Sequence, residues 1–210
     1  MKKLLAALLF LHATLAAAQV GKLLPVDEAV RDPEFFAFRA QLQAAVARHD
    51  TEAVLAALDP KIRTSFGTGG GIEDFRKTWK LPSADSRLWD ELGTVLALGG
   101  AFQEGGLFSA PYVYGRWPEP FDSFGHVAVL GKNVRVRAEP GVNGRILMAL
   151  SFDIVKLAAP AKDSEWTRIK LRDGRTGYIS SRYVRSPVDY RALFNKIGGR
   201  WRMTAFVAGD

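Results

Sequence analysis

The sequence predicts an α+β protein, with a mainly helical N-terminal domain completed by a C-terminal β-hairpin and a small antiparallel barrel between them in the chain. Three observations carry this prediction. Apolar residues recur at helical spacing in the first half of the chain, alternate with polar ones from Val127 to Val184, and alternate again on both sides of Gly198-Gly199. The predicted N-terminal domain comprises residues 19–125, the barrel residues 126–187 and the hairpin residues 188–210.

The first eighteen residues have the pattern of a cleavable signal peptide. Lys2 and Lys3 precede an apolar run, and Ala16-Ala17-Ala18 offers the small residues at which a signal peptidase cuts, after Ala18. The alternative is a membrane anchor, but the run is shorter than the roughly 20 residues that cross a bilayer. We therefore expect a periplasmic or secreted protein with no stable membrane insertion after cleavage.

Segment 19–125 contains the start signals and apolar spacing of four helices. Asp32-Pro33-Glu34 supplies an N-cap, a proline in the first position and an acid in the first turn, and Asp50 caps a second, shorter helix. The residues that mark the third and fourth helices are Ile72, Phe75 and Trp79, then Leu88, Leu92, Val95 and Leu96.

Two further parts of this segment are predicted to be extended or irregular. Lys61 to Phe66 alternates weakly, as in a short strand. The stretch from Ala101 to Phe124 is rich in aromatic residues, proline and glycine, which indicates irregular structure with one short strand.

Segment 126–187 carries a series of motifs in a fixed order. Val134-Arg-Val-Arg-Ala-Glu-Pro140 is followed by Trp166-Thr-Arg-Ile-Lys-Leu171, a tight turn at Asp173-Gly174, Gly177-Tyr178-Ile179 and Tyr183-Val184. These motifs resemble the bacterial SH3-like (SH3b) domain, whose opening strand reads Val-Asn-Val-Arg-x-x-Pro. Here Arg135 replaces the usual Asn. The resemblance implies an SH3-like β-barrel used for docking, often to peptidoglycan or peptides.

Charge is distributed unevenly along the chain. Segment 19–125 has eleven Lys and Arg against fifteen Asp and Glu, whereas segment 126–187 has twelve against five. Alternate residues of a strand share a face, so the basic residues of two strands are predicted to form a positive surface opposite the valines and isoleucine that point inward. This surface is either a solvated face or a docking patch for an anionic partner. With an aromatic residue nearby, the predicted binding residues are Arg135, Arg137, Arg168, Lys170, Arg172 and Tyr178.

Catalysis has little support in the sequence. His12 lies in the predicted signal peptide, and His49 and His126 have no companion histidine at ligand spacing. The chain has no cysteine, which excludes disulfides, thiolate ligands and cysteine nucleophiles. We predict no catalytic residue, metal or cofactor and do not expect an enzyme; an uncertain hydrolase is the alternative.

Two functions remain open from the sequence. Export and the SH3b resemblance predict a non-enzymatic cell-envelope protein that docks to cell-wall peptidoglycan or to an anionic envelope protein or peptide. The alternative is a small-ligand-binding or weakly catalytic N-terminal domain, with the barrel as an accessory. Nucleic acid is not expected, because the basic segment lacks interleaved exposed aromatic residues. The aromatic residues that could line a ligand pocket, or else fill the core, are Trp79, Tyr112, Tyr114 and Trp117.

Overall fold

The computed structural model describes residues 21–67, 69–159 and 164–209, so the predicted signal peptide lies outside the described residues. The described chain is mixed α+β, and the coarse fold class is confirmed. The helices are α1 (Pro33–Ala47), α2 (Thr51–Ala56), α3 (Ile72–Thr78), α4 (Leu88–Ala97) and α5 (Tyr112–Gly115). The strands are β1 (Leu58–Arg63), β2 (Ala101–Phe102), β3 (Phe108–Ala110), β4 (His126–Val129), β5 (Val134–Arg137), β6 (Ile146–Leu150), β7 (Ile154–Leu157), β8 (Trp166–Lys170), β9 (Thr176–Ser180), β10 (Val184–Arg185), β11 (Arg191–Ile197) and β12 (Arg200–Val207).

The strands form two sheets, one in each of two compact units. The larger unit comprises residues 25–124 and 186–209 of the described chain, and its five strands follow the order β1-β12-β11-β3-β2. The smaller unit comprises residues 21–24 and 125–185, and its seven strands follow the order β10-β4-β7-β8-β9-β5-β6. Among the described residues, no helix combines the length and the hydrophobicity of a membrane span.

The helices begin where the local sequence predicts. The Asp32 carboxylate accepts the Phe35 N–H at 2.9 Å, and Pro33 occupies the first helical position of α1. The Asp50 carboxylate accepts the Ala53 N–H at 3.0 Å and starts α2. Each cap satisfies a backbone donor that the helix itself leaves free, and is typically worth about 1 kcal/mol.

The C-terminal hairpin supplies two inner strands of the larger sheet. β11 and β12 pair antiparallel around Gly198 and Gly199, whose φ angles of 56° and 78° favour glycine. β12 also pairs parallel with β1, and β11 pairs antiparallel with β3. The hairpin therefore joins segments that lie far apart in the sequence.

One face of this sheet is covered by α1 and α4 and holds an aromatic core. The ring of Phe35 in α1 lies 4.2 Å from Phe108, 4.8 Å from Trp201 and 5.4 Å from Phe194, measured between centroids. Each buried aromatic side chain contributes on the order of 2 kcal/mol from the area removed from water. Side chains from all parts of the larger unit thus share one core.

The smaller unit is an open sheet, whereas the sequence predicted a closed SH3-like barrel. Its edge strands are β10 and β6, and no ladder between them closes the sheet in the described chain. Apolar alternation and tight turns specify antiparallel neighbours, but they do not specify closure, which depends on pairing between distant strands. The inward residues Val136, Ile169 and Ile179 are fully buried on one face of this sheet.

Burial along strand β6 does not alternate strictly from one residue to the next. Ile146 and Met148 are exposed, whereas Leu147 packs against the core of the smaller unit. A register shift in the ladder between β5 and β6, at Val136 and Arg137, accompanies this irregularity.

Candidate functional site

The smaller sheet brings three of the six predicted binding residues into one row. Arg137 of β5 lies opposite Tyr178 of β9, and Tyr178 lies opposite Arg168 of β8. Residues directly opposite one another project from the same face, so the half-buried tyrosine separates two guanidinium groups. Lys170 lies two residues beyond Arg168 and faces Lys156 of β7 across the ladder.

The other predicted residues lie at the margins of this row. Arg135 is exposed on the same face of β5 as Arg137, because Val134 and Val136 point into the core. Arg172 follows the end of β8 and lies in the turn before β9, so it does not belong to the strand face. The predicted basic surface is therefore smaller than the sequence indicated.

Arg135 and Arg137 also line a cleft of about 650 Å³ in the smaller unit. Arg137 donates through Nη1 to the Gly144 carbonyl at 2.7 Å, which holds its side chain in place. Other side chains of the cleft were not predicted from the sequence. They come from loops and a short 3₁₀ turn, which have no hydrophobic periodicity from which a side-chain direction could be predicted. They are Lys132, Glu165, Arg182 and Tyr183, whereas Trp166, which also lines the cleft, is the first residue of β8.

The electrostatics of this cleft favour anions. Its described lining has four basic side chains and one carboxylate, that of Glu165. The Arg182 guanidinium carbon lies 4.8 Å from the Tyr183 ring centroid, within the range of a cation–π contact. Such a cleft can attract and hold an anion.

The aromatic residues proposed for a pocket in the larger unit have different environments. Trp79 and Tyr112 are buried in the core, and burial raises the pKa of the Tyr112 hydroxyl to about 12. Trp117 donates its indole N–H to the Phe121 carbonyl at 2.8 Å, whereas Tyr114 is 37% exposed. These surroundings give Trp79 and Tyr112 a packing role.

A groove of about 490 Å³ lies between α1, α2 and the start of β12 in the larger unit. Val54 and Leu55 of α2 point into the core, so the small residues of that helix are left to line the groove. A methyl group fills little of the space between two helices and a strand, which leaves the groove open. The alanines of the lining are Ala45, Ala53, Ala56 and Ala57, and its larger apolar side chains are Phe38, Leu42 and Trp201.

Trp201, a residue of the groove lining, has an unsatisfied hydrogen-bond donor. Its side chain is 9% exposed, and its Nε1 is buried without a hydrogen-bond partner among the described residues. An indole N–H only donates, and buried donors are normally paired, so an unpaired one requires an explanation.

The charged groups at the rim of the groove are largely engaged. Arg202 donates through Nη1 to the Leu58 carbonyl at 2.9 Å. Lys196 donates to the Glu34 carboxylate, and this hydrogen bond raises the pKa of Lys196 above its usual value. Arg200 is exposed at the end of the hairpin.

An ionic cluster elsewhere in the larger unit has a structural role. Burial opposes ionisation of Glu28, but the Phe102 N–H, Arg116 and Arg31 together hold the pKa of this carboxyl below its usual value. A carboxylate held ionised by three donors is poorly suited to transfer protons at neutral pH. Over the described ranges, no group of three His, Asp or Glu side chains could hold a metal ion.

The chain was compared with family models, curated proteins and solved structures, and weak structural similarity was found. No family model matches the chain, and no curated protein matches it. An NTF-2 like protein of unknown function from Shewanella oneidensis MR-1 is similar at 14% identity and a TM-score of 0.31, over 84% of this chain and 97% of that one. A putative calcium/calmodulin dependent protein kinase II association domain from Xanthomonas campestris is similar at 12% identity and a TM-score of 0.28, over 89% and 97%. These TM-scores are too low for either protein to supply a function.

The architecture of the smaller unit corrects the SH3b identification. Segment 126–187 matches no family model, and its strands form an open sheet, whereas the resemblance implied a closed SH3-like barrel. The SH3b prediction is therefore wrong, and so is the peptidoglycan-docking function drawn from it. The quoted motifs are short and consist mainly of alternating apolar residues and turn glycines, which other antiparallel sheets also require.

Proposed function

We propose that the larger unit binds a small, mostly apolar ligand in the alanine-lined groove. The ligand carries one hydrogen-bond acceptor, which pairs with the indole N–H of Trp201. The observation that carries this proposal is the buried, unpartnered Nε1 of Trp201 in the lining of a groove.

The size and lining of the groove support this proposal. A volume of about 490 Å³ lies within the range of small-molecule pockets, which are mainly apolar and hold a few polar groups that orient the ligand. Apolar surface that a ligand buries contributes roughly 25 cal/mol per Å², and the single hydrogen bond adds about 1 kcal/mol.

The proposed role is binding without catalysis. Glu34 is the carboxylate of the described lining, and it is already paired with Lys196. A general base needs access to the proton that it removes, and this pairing withholds the carboxylate from that task.

The test is ligand-observed saturation-transfer NMR with four probes: 2-heptanone, cyclohexanone, benzamide and indole. The double variant Ala53→Leu, Ala56→Leu fills the groove and is expected to abolish saturation transfer to the bound probes. Ala40→Leu is the matched control, because Ala40 is exposed on α1 outside the groove. A probe that binds both variants and the wild type equally would contradict the proposal.

The Trp201→Phe variant tests the hydrogen bond separately. Phenylalanine keeps an aromatic ring and removes the N–H, so carbonyl probes are expected to bind about 2- to 12-fold more weakly, the equivalent of 0.5–1.5 kcal/mol. Indole has no carbonyl acceptor, and its affinity is expected to change less. An equal loss of affinity for all four probes would show that the substitution had changed only the packing of the groove.

A second candidate function is anion binding in the cleft of the smaller unit, favoured by its four basic side chains against one carboxylate. We propose that Arg135 and Arg137 contact a small polyanion there, with citrate as the probe. In isothermal titration, Arg135→Gln is expected to weaken citrate binding by roughly tenfold, since hydrogen bonds to charged groups are worth about 1.5–3 kcal/mol. The control is Arg145→Gln, an exposed arginine outside the cleft. Equal weakening in both variants would reject this site.

A further inference from the structure

Arg191 begins β11 on the sheet face that is turned away from α1 and α4. Its neighbours along the strand, Ala192 and Phe194, belong to the aromatic core, so Arg191 and Leu193 project to the opposite side. Despite its charge, Arg191 is only 4% exposed. Lysine and arginine are rarely buried to this extent unless they are paired.

The Arg191 guanidinium contacts two aromatic rings. Its central carbon lies 4.8 Å from the ring centroid of Phe66 and 4.7 Å from that of Tyr114. Its Nη1 is buried and has no hydrogen-bond partner among the described residues. Cation–π contacts offset only part of the cost of removing a charge and its N–H groups from water.

A second guanidinium lies on the same side of the sheet. Arg63 of β1 and Leu193 of β11 both lie opposite Ala205 of β12, so all three project to one face. The Arg63 guanidinium carbon lies 5.5 Å from the Phe66 centroid, so this ring is shared by two cations. Within the described chain, neither arginine forms an ion pair with a carboxylate.

From this arrangement, we propose that Arg191 and Arg63 form a binding site for the oxyanion of a small molecule, flanked by Phe66 and Tyr114. Phe66 and Tyr114 are 41% and 37% exposed, so rotation of either side chain would open the buried Nη1 of Arg191 to a ligand from solvent. The site lies on the opposite side of the sheet from the core that packs against Trp201, and it is separate from the proposed groove.

The chemistry of the guanidinium defines the ligand class. Arginine presents a planar fork of N–H donors that matches the oxygens of a carboxylate or a phosphate with two parallel hydrogen bonds. An oxyanion would therefore satisfy the unpaired Nη1 and supply the missing counter-charge in one step. Carboxylate and phosphate share this chemistry, and the experiment distinguishes them.

The experiment measures the thermal stability of the full chain with sodium acetate, sodium benzoate or sodium phosphate, at constant ionic strength with sodium chloride. At least one of the three anions is expected to raise the melting temperature in a saturable way. Benzoate or acetate would assign a carboxylate ligand, and phosphate alone would assign a phosphoryl group. The proposal would be overturned if, at every concentration, the melting temperature with each of the three anions equalled that with sodium chloride alone.

Three variants locate the effect. Arg191→Met is expected to abolish the saturable shift, and Arg63→Gln, at an exposed position that tolerates substitution, is expected to weaken apparent affinity about tenfold. Arg200→Gln is the matched control, because it lies in the same hairpin at the end opposite to Arg191. If Arg191→Met does not fold, Arg63→Gln alone decides: an unchanged shift in that variant rejects the site. Arg200 also lines the groove, so loss of the saturable shift in melting temperature in Arg200→Gln would place the anion in the groove instead.

Discussion

Buried polar atoms without partners are the most informative single-residue features of this protein. Among the described residues they include the indole nitrogen of Trp201, Nη1 of Arg191 and the hydroxyl of Tyr112. Trp201 borders a groove and Arg191 lies beside two partly exposed rings, and we have proposed a ligand for each of them. Tyr112 is 1% exposed and packs in the interior, so we expect its hydroxyl to affect the free energy of unfolding.

The Tyr112→Phe variant is expected to be at least as stable as the wild type at pH 7. The buried, unpaired hydroxyl opposes folding by about 1–3 kcal/mol, and phenylalanine keeps the ring that fills the space. The free energy of unfolding is measured by urea denaturation. A loss of more than about 1 kcal/mol in this variant would show that the hydroxyl has a favourable partner.

The same variant is expected to remove an alkaline loss of stability. Burial raises the pKa of Tyr112 from 10.0 to about 12 in the folded chain, so the unfolded chain loses this proton first as the pH rises. Stability linked to Tyr112 is therefore full below pH 10 and falls as the pH rises towards 12. Tyr183→Phe, at an exposed tyrosine, is the control for the removal of a hydroxyl group.

At the scale of secondary-structure elements, the hairpin of β11 and β12 connects the larger sheet. It lies between β1 and β3, and no other strand of the described sheet links these two. It also carries Phe194, Trp201, Met203 and Phe206 into the core.

Truncation of the chain after Arg185 is expected to unfold the larger unit. The four large side chains of the hairpin contribute about 1.5–3 kcal/mol each, and their sum is comparable to the whole stability of an ordinary domain, about 5–15 kcal/mol. Near-UV circular dichroism reports the loss of the buried environments of Trp79 and Trp89. Truncation after Ala208 keeps all of β11 and β12 and is the control. A cooperative near-UV transition that survives the first truncation would contradict this account.

At the scale of the whole molecule, charge and architecture divide the chain in similar places. Residues 125–185, which form most of the smaller unit, have twelve basic residues against five acidic ones. The larger unit contains the aromatic core, the groove and the Arg191 site. The proposed ligands differ accordingly: a polyanion for the basic cleft, and an apolar molecule and a small oxyanion for the two sites of the larger unit.

Local patterns made several features predictable. The caps at Asp32 and Asp50 depend on residues within one turn, and the orientation of Arg135 and Arg137 depends only on the two-residue period of a strand. The glycine pair at the end of β11 marks a turn for the same reason. In each case the determining contacts lie within a few residues of one another.

The tertiary structure alone decided the features that depend on distant pairing. The sequence determined an α+β chain, its helix starts and the alternation of its strands, but that alternation fits an open sheet as well as the closed barrel that the SH3b resemblance implied. The groove requires α1, α2 and β12 together, and Arg191 reaches Phe66, three residues after Arg63, only because β12 pairs with both β1 and β11. Hydrophobic periodicity records which face of an element is buried, whereas the partner that buries it is selected by packing across the whole chain.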